Sequence, residues 1–321
     1  MKNHQKIDIV IPVAPKDTSK LLICLNSITS NSLTPIKNIY IVSDRALFLD
    51  NFESNKQVIW IDEKKYPFSR ESIESMLKKK NSKYNHASWY YQQLLKFYVF
   101  EVISNLEPKT LILDSDFFFN KKIKFINDDG KAILASGYPL KWLLNTSKYP
   151  SQNNHSHIDF AKRLIPNWEP VNSFSGMHHH ILFQKEIIKK LFSIIEETHH
   201  QNFWRAFIDN LDLDKWNAAS EYVIYYHFAM KFYPQSTIAR HLKTCDFISD
   251  AKENNFVLEK ANNLLGDREF QAVGCHSFVD LRARLKTMDY IPANLKQKML
   301  LSETIAFKLI LNNGLLQINS V

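Results

Sequence analysis

Two carboxylates one residue apart, in Leu113-Asp114-Ser115-Asp116-Phe117, follow directly on the apolar run Thr110-Leu111-Ile112-Leu113. A buried strand that ends in acids places both at the C-terminal edge of a sheet, where open α/β sheets bind ligands. Ionised carboxylates there hold a hard divalent cation, which can bridge diphosphate oxygens. The triplet D-x-D is weak by itself, and its bland alternative is a capping pair after a strand. A second copy, Asp212-Leu213-Asp214, stands in a polar helix-or-turn context and reads as solvated. The strand before Asp114 and the aromatic run after Asp116 set the first copy apart.

Three further groups have the residue types for chemistry. Gln92, Gln93 and Lys96 lie within about one turn of a helix, with Gln92 and Lys96 at i, i+4 on one face. Amides and an ammonium at that spacing read a base edge and a phosphate, or are simply solvated. In His178-His179-His180, a strand would turn His178 and His180 to one side and His179 to the other. A contact to an acceptor or leaving group, proton transfer and a structural role all remain open for them, and zinc is the weakest reading because no third ligand has the usual spacing. Glu221 follows Ser220, a candidate N-cap. Its carboxylate suits a general base or a grip on acceptor hydroxyls, or no more than a favourable charge in a first helical turn.

The elements that must position these groups alternate. Apolar runs at 7–13, 39–42, 58–61 and 110–113 read as strands, and helical spacing at 21–30 (Leu22, Leu25 and Ile28 on one face) and at 87–103 reads as helices. That order implies an α/β fold with a mainly parallel sheet covered by helices. Further along, 132–137 and 270–276 read as strands, 184–198 and 221–231 as helices, and 148–157 as a loop, with His155, His157, His199 and His200 on the surface. Residues 291–311 read as one or two lysine-rich amphipathic helices.

Composition narrows the class. The chain has 6 glycines, all isolated, where average usage of roughly 7% would give about 22. Glycine-rich phosphate loops and dinucleotide fingerprints are therefore excluded. A net charge of +8 favours an anionic partner. The lysines are dispersed (Lys64-Lys65, Lys78-Lys79-Lys80, Lys121-Lys122, Lys189-Lys190), which argues against nucleic acid. Three cysteines at unrelated spacings form no ligand pattern or disulfide framework and point to a reducing compartment. The run at 7–13, interrupted by Asp8 and Pro12, is too short for a signal peptide or a membrane span. The expectation is a cytoplasmic protein.

The strand Asp8-Ile-Val-Ile-Pro12-Val13, the helix start Trp89-Tyr-Tyr-Gln92-Gln93-Leu-Leu-Lys96, and Leu113-Asp114-Ser115-Asp116 together resemble a GT-A glycosyltransferase, more narrowly the bacterial DUF6492 family. Ser175-Gly176-Met177-His178-His179-His180 and Ser220-Glu221-Tyr222 extend the resemblance over roughly residues 5 to 280. The resemblance implies a GT-A, Rossmann-like domain over 1–280, with a nucleotide-sugar-binding half at about 1–127, an acceptor-binding half at 128–280, and a helical extension at 281–321. It implies a nucleotide-diphospho-sugar donor across the strand ends, met by Pro12, Val13, Ala14, Lys16, Asp17, Ser43, Asp44, Gln92, Gln93, Lys96, Asp114 and Ser115. It implies a divalent metal, Mn2+ or Mg2+, on Asp114, Asp116 and a C-terminal histidine, for which His276 is the candidate. Asp116, Glu221 and His179 are then the catalytic candidates, and His178, His180 and Glu221 meet the acceptor, a glycan or glycolipid of a bacterial surface polysaccharide. Lys296, Lys298 and Lys308 would favour peripheral contact with the inner face of the cytoplasmic membrane. The alternatives are a non-catalytic protein that binds anionic surfaces or nucleic acid, and a sugar-phosphate nucleotidyltransferase, although Val13-Ala14-Pro15-Lys16-Asp17 lacks the glycine-rich loop of the latter.

Overall fold

The first apolar run forms strand β1 (Ile7–Pro12), and every one of its residues is buried. A parallel strand with both faces covered needs such a sequence. In this computed structural model, which describes residues 5–14, 17–45, 58–137, 156–215, 218–248 and 271–276, β1 is the centre of a five-stranded sheet. β2 (Ile36–Ser43) and β4 (Lys109–Leu113) flank it in parallel, and β3 (Val58–Asp62) runs parallel beyond β2. Beyond β4 lies β7 (His180–Gln184), antiparallel at the edge, so the order is β3-β2-β1-β4-β7. The expected α/β class with a mainly parallel mixed sheet is present.

One charge sits inside this sheet. Asp8 is fully buried in β1, and its carboxylate accepts from Asn38 N (3.0 Å), Asn38 Nδ2 (3.2 Å) and Glu107 N (2.7 Å). Burial raises its pKa, and these N–H donors oppose the rise. The carboxylate therefore ties β1 to β2 and to the entry of β4, using lone pairs that burial would otherwise leave unpaired.

Among the described residues, two smaller sheets complete the strands. β5 (Phe117–Phe119) pairs antiparallel with β10 (Ala272–His276), which runs parallel to β9 (Thr244–Ile248). β6 (Ala132–Ala135) pairs in parallel with β8 (Thr237–Arg240). The helices are α1 (Thr18–Asn31), α2 (Arg70–Lys80), α3 (Ala87–Phe97), α4 (Val99–Val102), α5 (Ser156–Leu164), α6 (Lys185–His199), α7 (Phe203–Asp209) and α8 (Glu221–Phe232). One hydrophobic core joins residues from Ile7 to Ala272. α6 illustrates the pattern: Ile187, Ile188, Leu191, Phe192 and Ile195 are buried at i, i+1, i+4, i+5 and i+8.

Several expectations need correction. On α1 the buried stripe is Leu21, Cys24, Leu25 and Ile28, while Leu22 is 39% exposed, because it lies a step round the helix from that stripe. The helix expected over 87–103 breaks at Tyr98 (φ −86°, ψ 6°), whose hydroxyl accepts from Trp204 N at 3.1 Å. His157 is buried within α5 and does not lie on the surface, since helix formation turns it inward beside Ile158 and Ala161. α2, α5 and α7 go beyond the sequence expectations. Asp212 and Asp214 form a polar turn, with Asp214 N donating to Asp212 Oδ1 at 3.1 Å. Most of 148–157, all of 281–321, and Lys296, Lys298 and Lys308 lie outside the described residues.

Gly176 has φ +68°, and a Cβ there would stand 2.2 Å from Tyr226 Cβ. Gly130 has φ +82°, but the nearest atom to its Cβ would be 3.7 Å away, on the Gln5 side chain. Gly130→Ala should therefore cost only the backbone term, about 1–2 kcal/mol. Gly176→Ala should cost that plus a core clash, roughly 3 kcal/mol or more in all. Urea denaturation of the two variants measures the difference. A second prediction concerns His227, which is fully buried and whose Nδ1 accepts from Val171 N at 3.2 Å. Burial lowers its pKa from 6.5 to about 4. Its contribution to stability is complete above pH 6.5 and is lost as pH falls from 6.5 through 4, because the unfolded chain takes the proton first. The loss amounts to at most about 3 kcal/mol. Melting curves across that window should fall less steeply for His227→Gln than for the wild type.

Candidate active site

The antiparallel register of β4 and β7 brings the D-S-D segment to the histidine run. Leu113 pairs with His180, and one step on, Asp114 N donates to His179 O at 2.9 Å. Directly opposed residues share a face, so Asp114 and His179 project together, with His179 Nδ1 3.4 Å from Asp114 Oδ2. The alternation expected had the whole run formed a strand is only partly present, because β7 begins at His180: the His178 and His180 rings stand 4.7 Å apart, all three histidines pack on Phe117, and His178 lines the same cleft as His179. His180 also packs on Phe119 and Phe125, and burial drives its imidazole pKa well below the ordinary value. It faces aromatic core and does not line the cleft described below, so it is not placed to meet an acceptor.

The opposite wall comes from α3 and the start of α8. At i, i+3 and i+6 of α3, three side chains reach the segment 218–222. Tyr90 Oη accepts from Ala218 N at 3.0 Å, and Gln93 Nε2 donates to Ala219 O at 3.0 Å. Lys96 Nζ lies 2.6 Å from Glu221 Oε1 and 3.0 Å from the Tyr222 hydroxyl. The same ammonium is 2.6 Å from Asp114 Oδ1, and Tyr222 donates to Asp114 Oδ2 at 2.9 Å. Ser220 caps α8 as expected, accepting from Val223 N. Glu221 thus enters its first turn with the side chain turned inward.

The side chains of Lys96 and Glu221 are only 3% and 4% exposed, so these charges are held by one another and not by water. Burial disfavours the Lys96 charge, but Asp114 and then Glu221 outweigh it and hold the pKa well above the ordinary lysine value. Burial likewise pushes Asp114 up, and the Lys96 ammonium, helped by His179, brings it well below the usual carboxylate range. For Glu221 burial prevails, and its pKa is raised despite Lys96. Glu221, Tyr222 and Asp114 thus surround the Lys96 ammonium with oxygen, and its charge is matched within the protein.

These walls enclose a cleft of about 1410 Å³ at the C-terminal edge of the sheet. Pro12, Val13, Ala14, Asp17, Asp44, Gln92, Gln93, Lys96, Asp114, Ser115, Asp116, His178, His179 and Glu221 all line it. Ser43 does not: it is buried, accepts from Trp60 Nε1 at 3.1 Å and donates to Arg45 O at 2.7 Å. Lys16 lies outside the described residues. Beyond the sequence expectations, Glu63, Arg70, Tyr91, Trp204, Arg205 and Tyr222 also line the cleft, and Tyr91 donates to Glu63 Oε2 at 2.9 Å. A signal for α2, and so for Arg70, is present in the sequence: Ser69 and Ser72 form a reciprocal cap at 3.0 and 3.1 Å.

Asp114, Asp116 and His179 each offer a ligand atom, all within 4.8 Å of one another. Two carboxylate oxygens and an imidazole nitrogen suit a divalent ion, Mn2+ better than Mg2+. The field there is negative: the buried Cys24 thiol behind the site is pushed up first by burial and then by Asp116 and Asp114. The third ligand expected at His276 is on β10, whose register sets Gly274 opposite Phe117. The His276 side chain lies outside the described residues, and among those described His179 completes the triad.

Residues 4–283 match the family described as a family of unknown function, DUF6492. The chain belongs to the DUF6492 family. No curated protein matches it in sequence. Among solved structures, the DUF6492 chain is similar to mouse xyloside xylosyltransferase 1 in its apo form, with TM-score 0.43 and 10% identity over 84% of this chain and 97% of that one. It is also similar to the galactosyltransferase LgtC in complex with donor and acceptor sugar analogs, with TM-score 0.45 and 11% identity over 94% and 95% of the two chains. An active-site mutant of LgtC gives TM-score 0.45 and 11% identity over 98% and 97%.

The Tyr222 hydroxyl bonds two charged partners, and such bonds contribute about 1.5–3 kcal/mol each. Tyr222→Phe removes both and should lower the unfolding free energy by about 1.5 kcal/mol or more in urea titrations. A loss under roughly 0.5 kcal/mol, the size of an ordinary surface change, would show that the hydroxyl does not hold Asp114.

Proposed function

We propose that this protein is a GT-A glycosyltransferase that moves a sugar from a nucleotide-diphosphate donor to a saccharide acceptor. The observation that carries the reading is the convergence of Asp114, Asp116 and His179 at the C-terminal edge of a parallel sheet, inside a cleft shared with Glu221. A volume of about 1410 Å³ exceeds the roughly 300–1,000 Å³ of a single-ligand pocket and suits two substrates. The family resemblance supplies the reaction class, and it extends the acceptor to a bacterial surface glycan.

A divalent ion, Mn2+ or Mg2+, held by Asp114, Asp116 and His179 would neutralise the charge of the departing diphosphate. The chain's own residues do the rest. Pro12, Val13, Ala14, Asp17 and Asp44 form the side of the cleft that receives base and ribose, and Gln92 also lines that cleft. Glu221, its affinity for a proton raised by burial, takes the proton of the acceptor hydroxyl or orients that hydroxyl. His178, which lines the same cleft, offers a hydrogen bond to the acceptor. Among the described residues no helix is long and apolar enough to cross a membrane.

Thermal shift with UDP, GDP and CDP, each with and without Mn2+, tests the donor site. At least one nucleotide should raise the melting temperature, and more so with Mn2+. No stabilisation by any of them would sink the reading. Asp116→Ala should retain the fold and lose transfer by about 100-fold or more, the scale of removing one preorganised electrostatic group. Glu221→Gln should keep nucleotide binding and lower turnover.

A further inference from the structure

Asp114 has two roles that compete. It is one of the three groups able to hold a cation, yet both of its oxygens are already engaged. Oδ1 faces the Lys96 ammonium at 2.6 Å, and Oδ2 accepts from Tyr222 at 2.9 Å with His179 Nδ1 at 3.4 Å. We propose that Lys96 is a positioning residue, a resident counter-ion that competes with the divalent cation for Asp114. The free protein then binds the metal weakly, and binding tightens when a nucleoside diphosphate adds oxygen ligands of its own. The second half rests on the donor reading given above; the first half, competition for Asp114, stands on the ion pair alone.

The charges explain why such a residue is present. Asp114 and Glu221 put two carboxylates against one ammonium, and Asp116 lies close to Asp114. Without Lys96, two of the most buried carboxylates in the cleft would face one another across the seam between β4 and α8 with no cation between them, an arrangement that favours protonation or separation. With Lys96, Asp114 stays ionised and aimed at the ligand position before any metal arrives. The same positive charge, a few ångströms from the metal position, repels a dication. At the effective dielectric of a partly buried site, that repulsion is worth about tenfold or more in affinity.

Titration of Mn2+ into the full-length chain, followed by the electron paramagnetic resonance signal of free Mn2+, reads the competition without any catalysis. Lys96→Met should bind Mn2+ alone at least about tenfold more tightly than the wild type, and Lys96→Arg, which keeps the charge, should bind as the wild type does. UDP or GDP should tighten Mn2+ binding strongly in the wild type and much less in Lys96→Met. A purely structural lysine would leave Mn2+ affinity unchanged or weaken it on substitution, and a diphosphate-binding lysine would change nucleotide affinity alone. Either result, with a native circular dichroism spectrum, overturns the proposal. Should Lys96→Met not fold, Lys96→Met/Glu221→Gln removes one charge of each sign and still frees Asp114, so it should also bind Mn2+ more tightly. If no variant, nor the wild type, binds Mn2+ with or without nucleotide, the metal-and-donor reading itself fails. If the wild type binds Mn2+ with nucleotide but neither methionine variant gains affinity for the metal alone, only the counter-ion proposal fails.

Discussion

An ammonium group taken out of water must be surrounded by oxygen, since even after relaxation its desolvation costs several kcal/mol. Lys96 meets that demand with groups from two distant parts of the chain, Asp114 at the end of β4 and Glu221 with Tyr222 at the start of α8. The requirement fixes where α3 lies against the sheet edge. Tyr90 and Gln93, on the same face of α3, brace the neighbouring backbone at Ala218 and Ala219. The wall of the cleft is therefore one seam of polar contacts along a single helix face, flanked by packed aromatic rings such as Phe97 and Phe203.

The other wall depends on strand register. Pairing Leu113 with His180 sets Asp114 opposite His179 and turns His180 into the aromatic core. A slip of one residue would reverse which histidine meets the carboxylate. Gly176 guards that approach: its positive φ and its contact with Tyr226 let the chain pass close over α8 before entering β7. Acids from one strand end, an imidazole from its antiparallel neighbour and a buried carboxylate from a helix start thus share one opening. The shortage of glycine is consistent with this construction, because the group that could hold a metal ion is made of the side chains of Asp114, Asp116 and His179.

What was legible in the sequence follows from local signals. Continuous apolar runs mark β1 and β4, and the acids directly after β4 mark the sheet edge where the cleft opens. Helical spacing marks α1, α6 and α8, and Ser220 marks the start of α8. Local spacing misleads where neighbours decide. Leu22 fits an apolar face but is exposed, His157 looks like a loop residue but is buried in α5, and Tyr98 breaks a helix whose periodicity runs through it.

By itself, the sequence determined the α/β class and the place of Asp114 and Asp116 at a strand end. Both depend on residues a few positions apart and on fixed backbone periods. Only the tertiary structure decided that His179 and not His180 meets Asp114, that Ser43 turns away from the cleft, and that Lys96 is an internal bridge. The reason is physical: a lysine on a helix is ordinarily solvated, and whether it is buried depends on whether the fold delivers carboxylates to it. Here they come from residues 114 and 221, which meet Lys96 only after β4, β7 and α8 have packed.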